Sequence, residues 1–153
     1  MKNIFFRCDS SLYMGSGHIV RCRNLARELV KANYKIFFIC NKLEGNLINE
    51  LKKEFEVIVL RYCELELNNS KKIKNPFYID QTKDYIETLK LLKKLKINNI
   101  DWFIVDHYGI EKYWEINLLK GIKKITFQNY QPKMFIIDDL ANREHYADFL
   151  LDS

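Results

Sequence analysis

The sequence predicts an α/β domain with a doubly wound, mostly parallel sheet, and three observations support this prediction. Apolar, β-rich runs at residues 4–7 and 34–40 flank an amphipathic helical segment, so a β-α-β unit fits within the first 40 residues. These runs are apolar at consecutive positions, which is typical of strands covered on both faces. Helical and strand-like segments also alternate along the chain, and this pattern favours parallel strands joined by right-handed crossovers.

The first helix is predicted at residues 18–32 because its apolar side chains recur at helical spacing. That inward stripe consists of Cys22, Leu25, Ala26, Leu29 and Val30. A short second helix is predicted at 45–53, followed by a strand at 57–60. Residues 64–76 are polar and are expected to form an exposed loop.

A third helix is predicted at residues 82–96. Asp84 and Glu87 fall near its N-terminus, where the helix dipole favours negative charge. The helical spacing of the apolar residues predicts a face that packs against the sheet. The inward side chains on that face are Tyr85, Ile86, Leu89 and Leu92.

The remaining segments continue the alternation. A buried strand is predicted at residues 101–106 (DWFIVD). A helix at 111–120 is expected to end at Gly121, because glycine is common just past helix ends. Further strands are predicted at 124–127 and 134–137, and an apolar run follows at 147–151.

The composition is that of a globular domain. The chain has 153 residues, 48% of them apolar and 29% charged, which is enough for a hydrophobic core. The net charge of +5 comes mostly from scattered lysines, which indicates a solvated surface rather than a nucleic-acid patch. The four cysteines show neither CxxC pairing nor metal-ligand spacing, so reduced thiols are expected. With no signal peptide and no membrane-length apolar run, we expect a cytoplasmic protein without a membrane partner.

The sequence stops at Asp152-Ser153, directly after a predicted strand and without a closing helix. An α/β domain that ends on a strand often continues into a linker and a partner domain. We therefore expect residues 1–153 to form one domain that is half of a larger protein.

Polar clusters follow three of the predicted strands, at the sheet edge where ligands bind in open α/β folds. They are residues 9–18, residues 106–109 and the pair Asp138-Asp139. Gly15 and Gly17 do not form a dinucleotide fingerprint, since Val20 occupies the third glycine position, and no P-loop GK[ST] follows. We therefore expect no NAD or ATP cofactor. The glycines are predicted to let the loop backbone approach a ligand closely.

His18 is the main candidate for chemistry. It is predicted to lie at the start of the first helix, whose dipole disfavours the charged imidazole, and a neutral imidazole is suited to accept a proton. The alternative is an ordinary residue at a helix start with a solvated ring. Arg21, one turn later, either steadies an anion or lies on the solvent face.

The segment DHYG at residues 106–109 offers further candidates. Neighbouring strand residues point to opposite sides, so Asp106 and His107 are not expected to share a metal ion, and no metal site is predicted. Asp106 either contacts a ligand or caps a turn. Tyr108 either offers its ring and hydroxyl to a sugar or base, or packs inside the fold. Asp138-Asp139 is either a ligand-binding pair or a turn.

Four motifs together resemble one family along almost the whole chain. They are FRCDSSLYMGSGHIVRC, LEGNLI, VDHYG and IDDLANREHYADFLLD. The chain resembles the N-terminal half of the UDP-sugar hydrolases of pseudaminic acid biosynthesis (PseG), which are related to spore-coat polysaccharide enzymes. That family is similar to inverting glycosyltransferases with two Rossmann-like domains (GT-B), including the peptidoglycan enzyme MurG. Each motif alone is weak, but R-x-D-x-S, GxGH and DHYG at these separations form a specific combination.

The resemblance implies a reaction and a set of residues. Family members release UDP from UDP-2,4-diacetamido-2,4,6-trideoxy-β-L-altropyranose by attack of water at C1, with inversion and without a metal. Matched onto this sequence, His18 is the proton acceptor and Tyr108 is a substrate contact. Because UDP leaves as a stabilised anion, one base can suffice where glycosidases usually need a second carboxyl group. Asp9, Gly15 and Gly17 belong to the matching loop; with Tyr108, and with Arg21 and Asp106 from the residue patterns above, they are the substrate-binding candidates.

The resemblance implies that the chain lacks the C-terminal nucleotide-binding domain, which holds most of the uridine and diphosphate in that family. We therefore expect it to be inactive or nearly so by itself, with a UDP-sugar and that domain as its partners. Two alternative interpretations stay open. One is half of a glycosyltransferase, in which His18 activates an acceptor hydroxyl. The other is a non-catalytic sugar-binding module.

Overall fold

Six parallel strands form one sheet at the centre of the fold, in the order β3-β2-β1-β4-β5-β6. The structure is a computed structural model that describes residues 1–65, 75 and 77–152. The strands are β1 (Asn3–Cys8), β2 (Lys35–Asn41), β3 (Glu56–Leu60), β4 (Trp102–Asp106), β5 (Lys133–Ile137) and β6 (Phe149–Leu151). The predicted parallel, doubly wound α/β architecture is confirmed.

The helices connect successive strands. They are α1 (Gly17–Lys31), α2 (Ile48–Lys52), α3 (Gln81–Lys94) and α4 (Lys112–Ile125), with a 3-10 helix at Tyr62–Leu65. Most of the loop predicted at 64–76 lies outside the described residues. Among the residues that the structure does describe, no helix has the length and apolar character needed to cross a membrane.

Aromatic side chains fill both faces of the sheet. On one face Phe5 stacks on Phe37 and Phe103, with ring centroids 4.6 and 5.4 Å away, in the core that also receives α3 and α4. On the other face Phe6 stacks on Phe38 at 5.0 Å, in the core shared with α1 and α2. Burial on both faces explains why these strands lack an alternation of apolar and polar residues.

The strand order reverses direction between β1 and β4. The chain moves from β1 outward to β2 and β3, then returns to the other side of β1 for β4, β5 and β6. In open α/β sheets this reversal opens a crevice at the carboxyl ends of the two central strands. The segments after β1 and β4 therefore meet at the place where a ligand site is expected.

Two side chains predicted to face the core are instead about half exposed, Val30 at 49% and Ile86 at 51%. On α3 the buried side chains are Asp84, Thr88 and Leu92. Ile86 is two residues from that stripe and so points to the opposite side of the helix. Val30 lies in the last turn of α1, beyond Ala26, the last residue of that helix that is buried.

The predicted end of the fourth helix at Gly121 is wrong, and so is the strand predicted at 124–127. Helix α4 continues to Ile125, and Phe127 beyond it is 96% exposed. A Cβ on Gly121 would lie 2.1 Å from Leu89 Cδ1 of α3. Gly121 is therefore a point of close packing between α3 and α4, and its missing side chain serves helix contact rather than helix termination.

Candidate active site

The loop between β1 and α1 brings the first turn of α1 to the crevice. Ser11 and Gly15 form an antiparallel bridge, in which Gly15 N–H donates to the Ser11 carbonyl at 2.9 Å. Gly15 has φ +77°, a left-handed conformation that favours glycine. Leu12 N–H donates to the Glu44 carbonyl at 2.9 Å, which ties the loop to the neighbouring segment. Both Gly15 and Gly17 are exposed, and α1 begins at Gly17.

Strand alternation sorts the polar residues into two groups. Cys8 of β1 and Asp106 of β4 are in register, and the Asp106 side chain points toward α1, where it meets Cys22. The adjacent residues Asp9 and His107 point to the other face and contact each other. The crevice therefore has one polar cluster on the α1 side and a second, separate cluster on the α3 side.

The α1-side cluster centres on Asp106, which has no exposed surface. His18 Nδ1 lies 2.6 Å from Asp106 Oδ1. Arg21 donates from Nε to Oδ2 and from Nη2 to Oδ1, both at 2.7 Å. Burial opposes ionisation of Asp106, but the hydrogen bonds from His18 and Arg21 outweigh it and lower the pKa of Asp106. Asp106 is thus an ionised carboxylate that holds two side chains from α1.

This geometry fixes the orientation of the His18 ring. An ionised carboxylate accepts a hydrogen bond from Nδ1–H and so selects the tautomer in which Nε2 carries the lone pair. Within the described part of the chain, Nε2 has no hydrogen-bond partner. The ring packs edge-on against Tyr108 and Phe77, with centroids 4.5 and 5.8 Å away, and His18 is only 7% exposed.

Tyr108 links this cluster to the end of β5. Its hydroxyl donates to Asp139 Oδ1 at 2.5 Å, and this hydrogen bond raises the pKa of Tyr108. Arg21 Nη1 lies 3.7 Å from Asp139 Oδ2. His18, Arg21, Asp106 and Tyr108, all predicted site residues, therefore lie together, with Asp139 as an additional member. Its neighbour Asp138 turns away and pairs with His145 and Arg143 instead.

The charged residues of the α3-side cluster, Arg7, Asp9 and Asp84, are fully buried, and Arg7 and Asp84 were not predicted as site residues. Arg7 donates from Nε and Nη2 to Asp84 at 3.1 and 2.6 Å, and from Nη1 to Asp9 Oδ1 at 2.7 Å. Asp84 also accepts hydrogen bonds from Trp114 Nε1 and the Tyr62 hydroxyl. The available signal was a lone arginine inside the apolar strand FFRC, which demands a buried carboxylate partner.

Asp9, predicted as a substrate contact, has no exposed surface. Its oxygens accept hydrogen bonds from Arg7, from the Asn41 backbone at 2.7 Å and from His107 Nε2 at 2.8 Å. His107 Nδ1 in turn accepts the Gly109 N–H at 2.9 Å. Burial opposes ionisation of Asp9, but Arg7 and His107 outweigh it and lower the pKa of Asp9. This arrangement favours a role for Asp9 in holding the DHYG turn rather than in touching a ligand.

The fold and the site define a class: a Rossmann-like α/β domain that carries a carboxylate-held histidine at its ligand-binding edge. No family model matches the chain. Over 146 residues, 94% of its length, the chain is 31% identical to the UDP-2,4-diacetamido-2,4,6-trideoxy-beta-L-altropyranose hydrolase of Campylobacter jejuni. This similarity supports membership in the family of that hydrolase, as the sequence motifs predict.

A second relative is an uncharacterized protein of Methanocaldococcus jannaschii, 27% identical over 146 residues that make up 95% of this chain. The chain spans less than half the length of both relatives, 42% of the Campylobacter hydrolase and 23% of the archaeal protein. The similarity therefore extends along this chain but leaves most of each relative without a counterpart here.

Proposed function

We propose that this chain is the water-activating part of a UDP-sugar hydrolase, with His18 as the general base. The observation that carries the proposal is the 2.6 Å contact between His18 Nδ1 and the buried Asp106 carboxylate, at the sheet edge where ligands bind. The Campylobacter relative is named as a hydrolase of a UDP-sugar, which supports this substrate class.

In the proposed reaction His18 Nε2 takes a proton from water as the water oxygen bonds to C1 of the sugar. The C1–O bond to UDP breaks, UDP leaves with the bonding electrons, and C1 inverts. A positive imidazolium develops on His18 next to ionised Asp106, which stabilises it without reorganisation of solvent. UDP is a far better leaving group than an alkoxide, so this route needs no carboxylic acid to protonate it.

The neighbouring residues have supporting roles in this proposal. Tyr108 packs on the His18 ring and presents a half-buried surface to the sugar. Arg21 adds a positive charge beside the base, and its pKa is raised by the hydrogen bonds to Asp106. The exposed backbone at Gly15 and Gly17 lets the ligand approach the first turn of α1. Asp9 does not touch the ligand in this proposal, but holds His107 and through it the turn that carries Tyr108.

We further propose that the chain corresponds to the N-terminal half of a GT-B type architecture. A second domain would then supply most of the contacts to the uridine and diphosphate. The support is that the hydrolase relative is more than twice as long as the matched region. On the side of the crevice that the structure describes, His18 packs against the rings of Tyr108 and Phe77, which we call its aromatic wall.

The test uses a chimera in which this chain replaces the matching region of the Campylobacter hydrolase. We expect His18→Ala to lower kcat for UDP release by at least about 100-fold, because a positioned base contributes that much, while UDP binding changes little. Lys31→Ala, at the exposed far end of the same helix, is the matched control and should keep full activity.

Turnover in ¹⁸O-labelled water reports which bond breaks. The proposal requires the label at C1 of the released sugar and none in UDP, and proton NMR should show the inverted anomer as the first product. Label in the UDP phosphate, full turnover by the His18→Ala variant, or a folded chimera that releases no UDP would each contradict the proposal.

A further inference from the structure

The segment between β5 and β6, residues 138–148, is called here the strap. It carries no helix and is fastened at several points. Lys112 N–H at the start of α4 donates to the Glu144 carbonyl at 2.8 Å, and Asp148 N–H donates to the Met134 carbonyl at 2.9 Å. In the middle of the strap lies His145, whose side chain is 5% exposed and which has no part in the proposed reaction.

His145 is held between two buried carboxyl groups. Its Nδ1 lies 2.7 Å from Glu115 Oε2 on α4, and its Nε2 lies 2.7 Å from Asp138 Oδ2 at the end of β5. The exposed fractions of these two side chains are 0% and 1%. An imidazolium satisfies both carboxylates, because only the charged ring donates from both nitrogens.

The charged groups around His145 come from three elements: Glu115 on α4, Asp138 after β5, and Arg143 on the strap, whose Nη2 lies 2.8 Å from Asp138 Oδ1. Burial disfavours the charged ring, but the hydrogen bonds to Glu115 and Asp138 outweigh it and raise the pKa of His145. The pKa of Asp138 is lowered, because the hydrogen bonds from His145 and Arg143 outweigh its burial.

The strap reaches the candidate active site through two connections. Asp138, held by His145, is followed directly by Asp139, which accepts the Tyr108 hydroxyl. Arg143 donates from Nη1 to the carbonyls of His107 and Ile110, on either side of the Tyr108 turn. Tyr108 in turn packs on the His18 ring. A displacement of the strap would therefore move Tyr108 relative to His18.

We propose that His145, as an imidazolium clamped between Glu115 and Asp138, is a positioning residue that keeps Asp139 on the Tyr108 hydroxyl and thereby keeps Tyr108 against His18. The expected effect of His145 on turnover rests on the proposed function. Its effect on the position of Tyr108 does not, because the Tyr108–Asp139 hydrogen bond exists without substrate.

The clamp has a defined dependence on pH. The pKa of His145 is raised in the folded protein, so the clamp is complete below the unfolded value of about 6.5 and is lost as pH rises through the raised folded value. Above the folded pKa of His145, the hydrogen bond from the Tyr108 hydroxyl to Asp139 should then weaken. In a variant that lacks the imidazole, this alkaline change should be absent.

The experiment follows the Tyr108 hydroxyl by NMR in protein labelled with ¹³C at tyrosine Cζ, with Tyr108→Phe used to identify the signal. In His145→Gln the pKa of Tyr108 should fall toward its ordinary value, because its hydrogen bond to Asp139 is weakened. Asn142→Ala, an exposed change on the same strap, should leave it unaltered. In the chimera, kcat for UDP release should fall about tenfold in His145→Gln, since small misplacements near a reacting group are costly.

An unchanged Tyr108 titration in folded His145→Gln would overturn the proposal. Should that variant not fold, ¹⁵N NMR of the unmodified protein decides instead: imidazolium signals from both His145 nitrogens at pH 7 support the clamp, and a neutral ring refutes it. Absence of UDP release from the unmodified chimera would count against the proposed function alone, because the Tyr108 and His145 measurements need no substrate.

Discussion

Arg7 lies near the carboxyl end of β1 with no exposed surface, and a buried guanidinium needs full compensation. Asp84 and Asp9 supply two carboxylates, at 2.6 and 2.7 Å. Through Asp9 the network continues to His107, which also accepts the Gly109 N–H. The buried charges thus connect the sheet centre to the turn that carries Tyr108.

At the residue scale we predict that Asp84→Ala lowers the free energy of unfolding by about 3–5 kcal/mol, because it leaves Arg7 buried with half of its compensation. Urea unfolding followed by circular dichroism measures the loss. The control is Glu54→Ala, which breaks the exposed Arg27–Glu54 ion pair and should cost far less. Equal losses in the two variants would show that the Arg7 network does not depend on Asp84.

At the scale of elements, α3 and α4 pack closely at Gly121, which lies inside α4 rather than at its end. Leu89 of α3 occupies the space over Gly121, and α4 continues past that glycine to Ile125. A glycine inside a helix costs about 1 kcal/mol relative to alanine. Here the close approach of the two helices requires it.

Gly121→Ala should therefore destabilise the protein by about 1–2 kcal/mol, since the new Cβ meets Leu89 at 2.1 Å. In a Leu89→Ala background the same substitution should stabilise by up to about 1 kcal/mol, because only the helix propensity remains. Thermal or urea unfolding of the four proteins in this cycle measures both values. Stabilisation by Gly121→Ala in both backgrounds would show that the helices have room to separate.

At the scale of the whole molecule, the strand order 3-2-1-4-5-6 places the segments after β1 and β4 at one crevice. The proposed base and its aromatic wall line that crevice. The hydrolase relative continues well beyond the matched region. The proposed second domain would cover the nucleotide side of this site.

We accordingly predict that the 153-residue chain alone releases no measurable UDP from the UDP-sugar substrate. Addition of a separately expressed second half of the Campylobacter hydrolase should restore release, and His18→Ala in this chain should abolish the restored activity. A coupled assay for UDP follows both. Turnover by the isolated chain would refute the two-domain part of the proposal.

Much of the fold could be predicted from the sequence, because its signals are local. Apolar runs such as the one around Phe5 and Phe6 mark strands buried on both faces, and helical spacing marks α1 and α3. The exceptions arise where a long-range contact overrides a local preference. Glycine is typical of a helix end, yet Gly121 lies inside α4 and packs against Leu89, which is 32 residues away in the sequence.

Some features of the candidate site could likewise be predicted from the sequence, and others depend on the tertiary structure. The sequence by itself determined that His18, Asp106 and Tyr108 lie at or after strand ends, at the edge where open α/β sheets bind ligands, since parallel strands end at one edge. Only the tertiary structure decided that Asp106 binds both His18 and Arg21, that Asp9 is buried behind the site, and that Arg7 needs Asp84. Hydrogen bonds between residues as far apart as His18 and Asp106 depend on how strands and helices pack, and sequence periodicity carries no information about that packing.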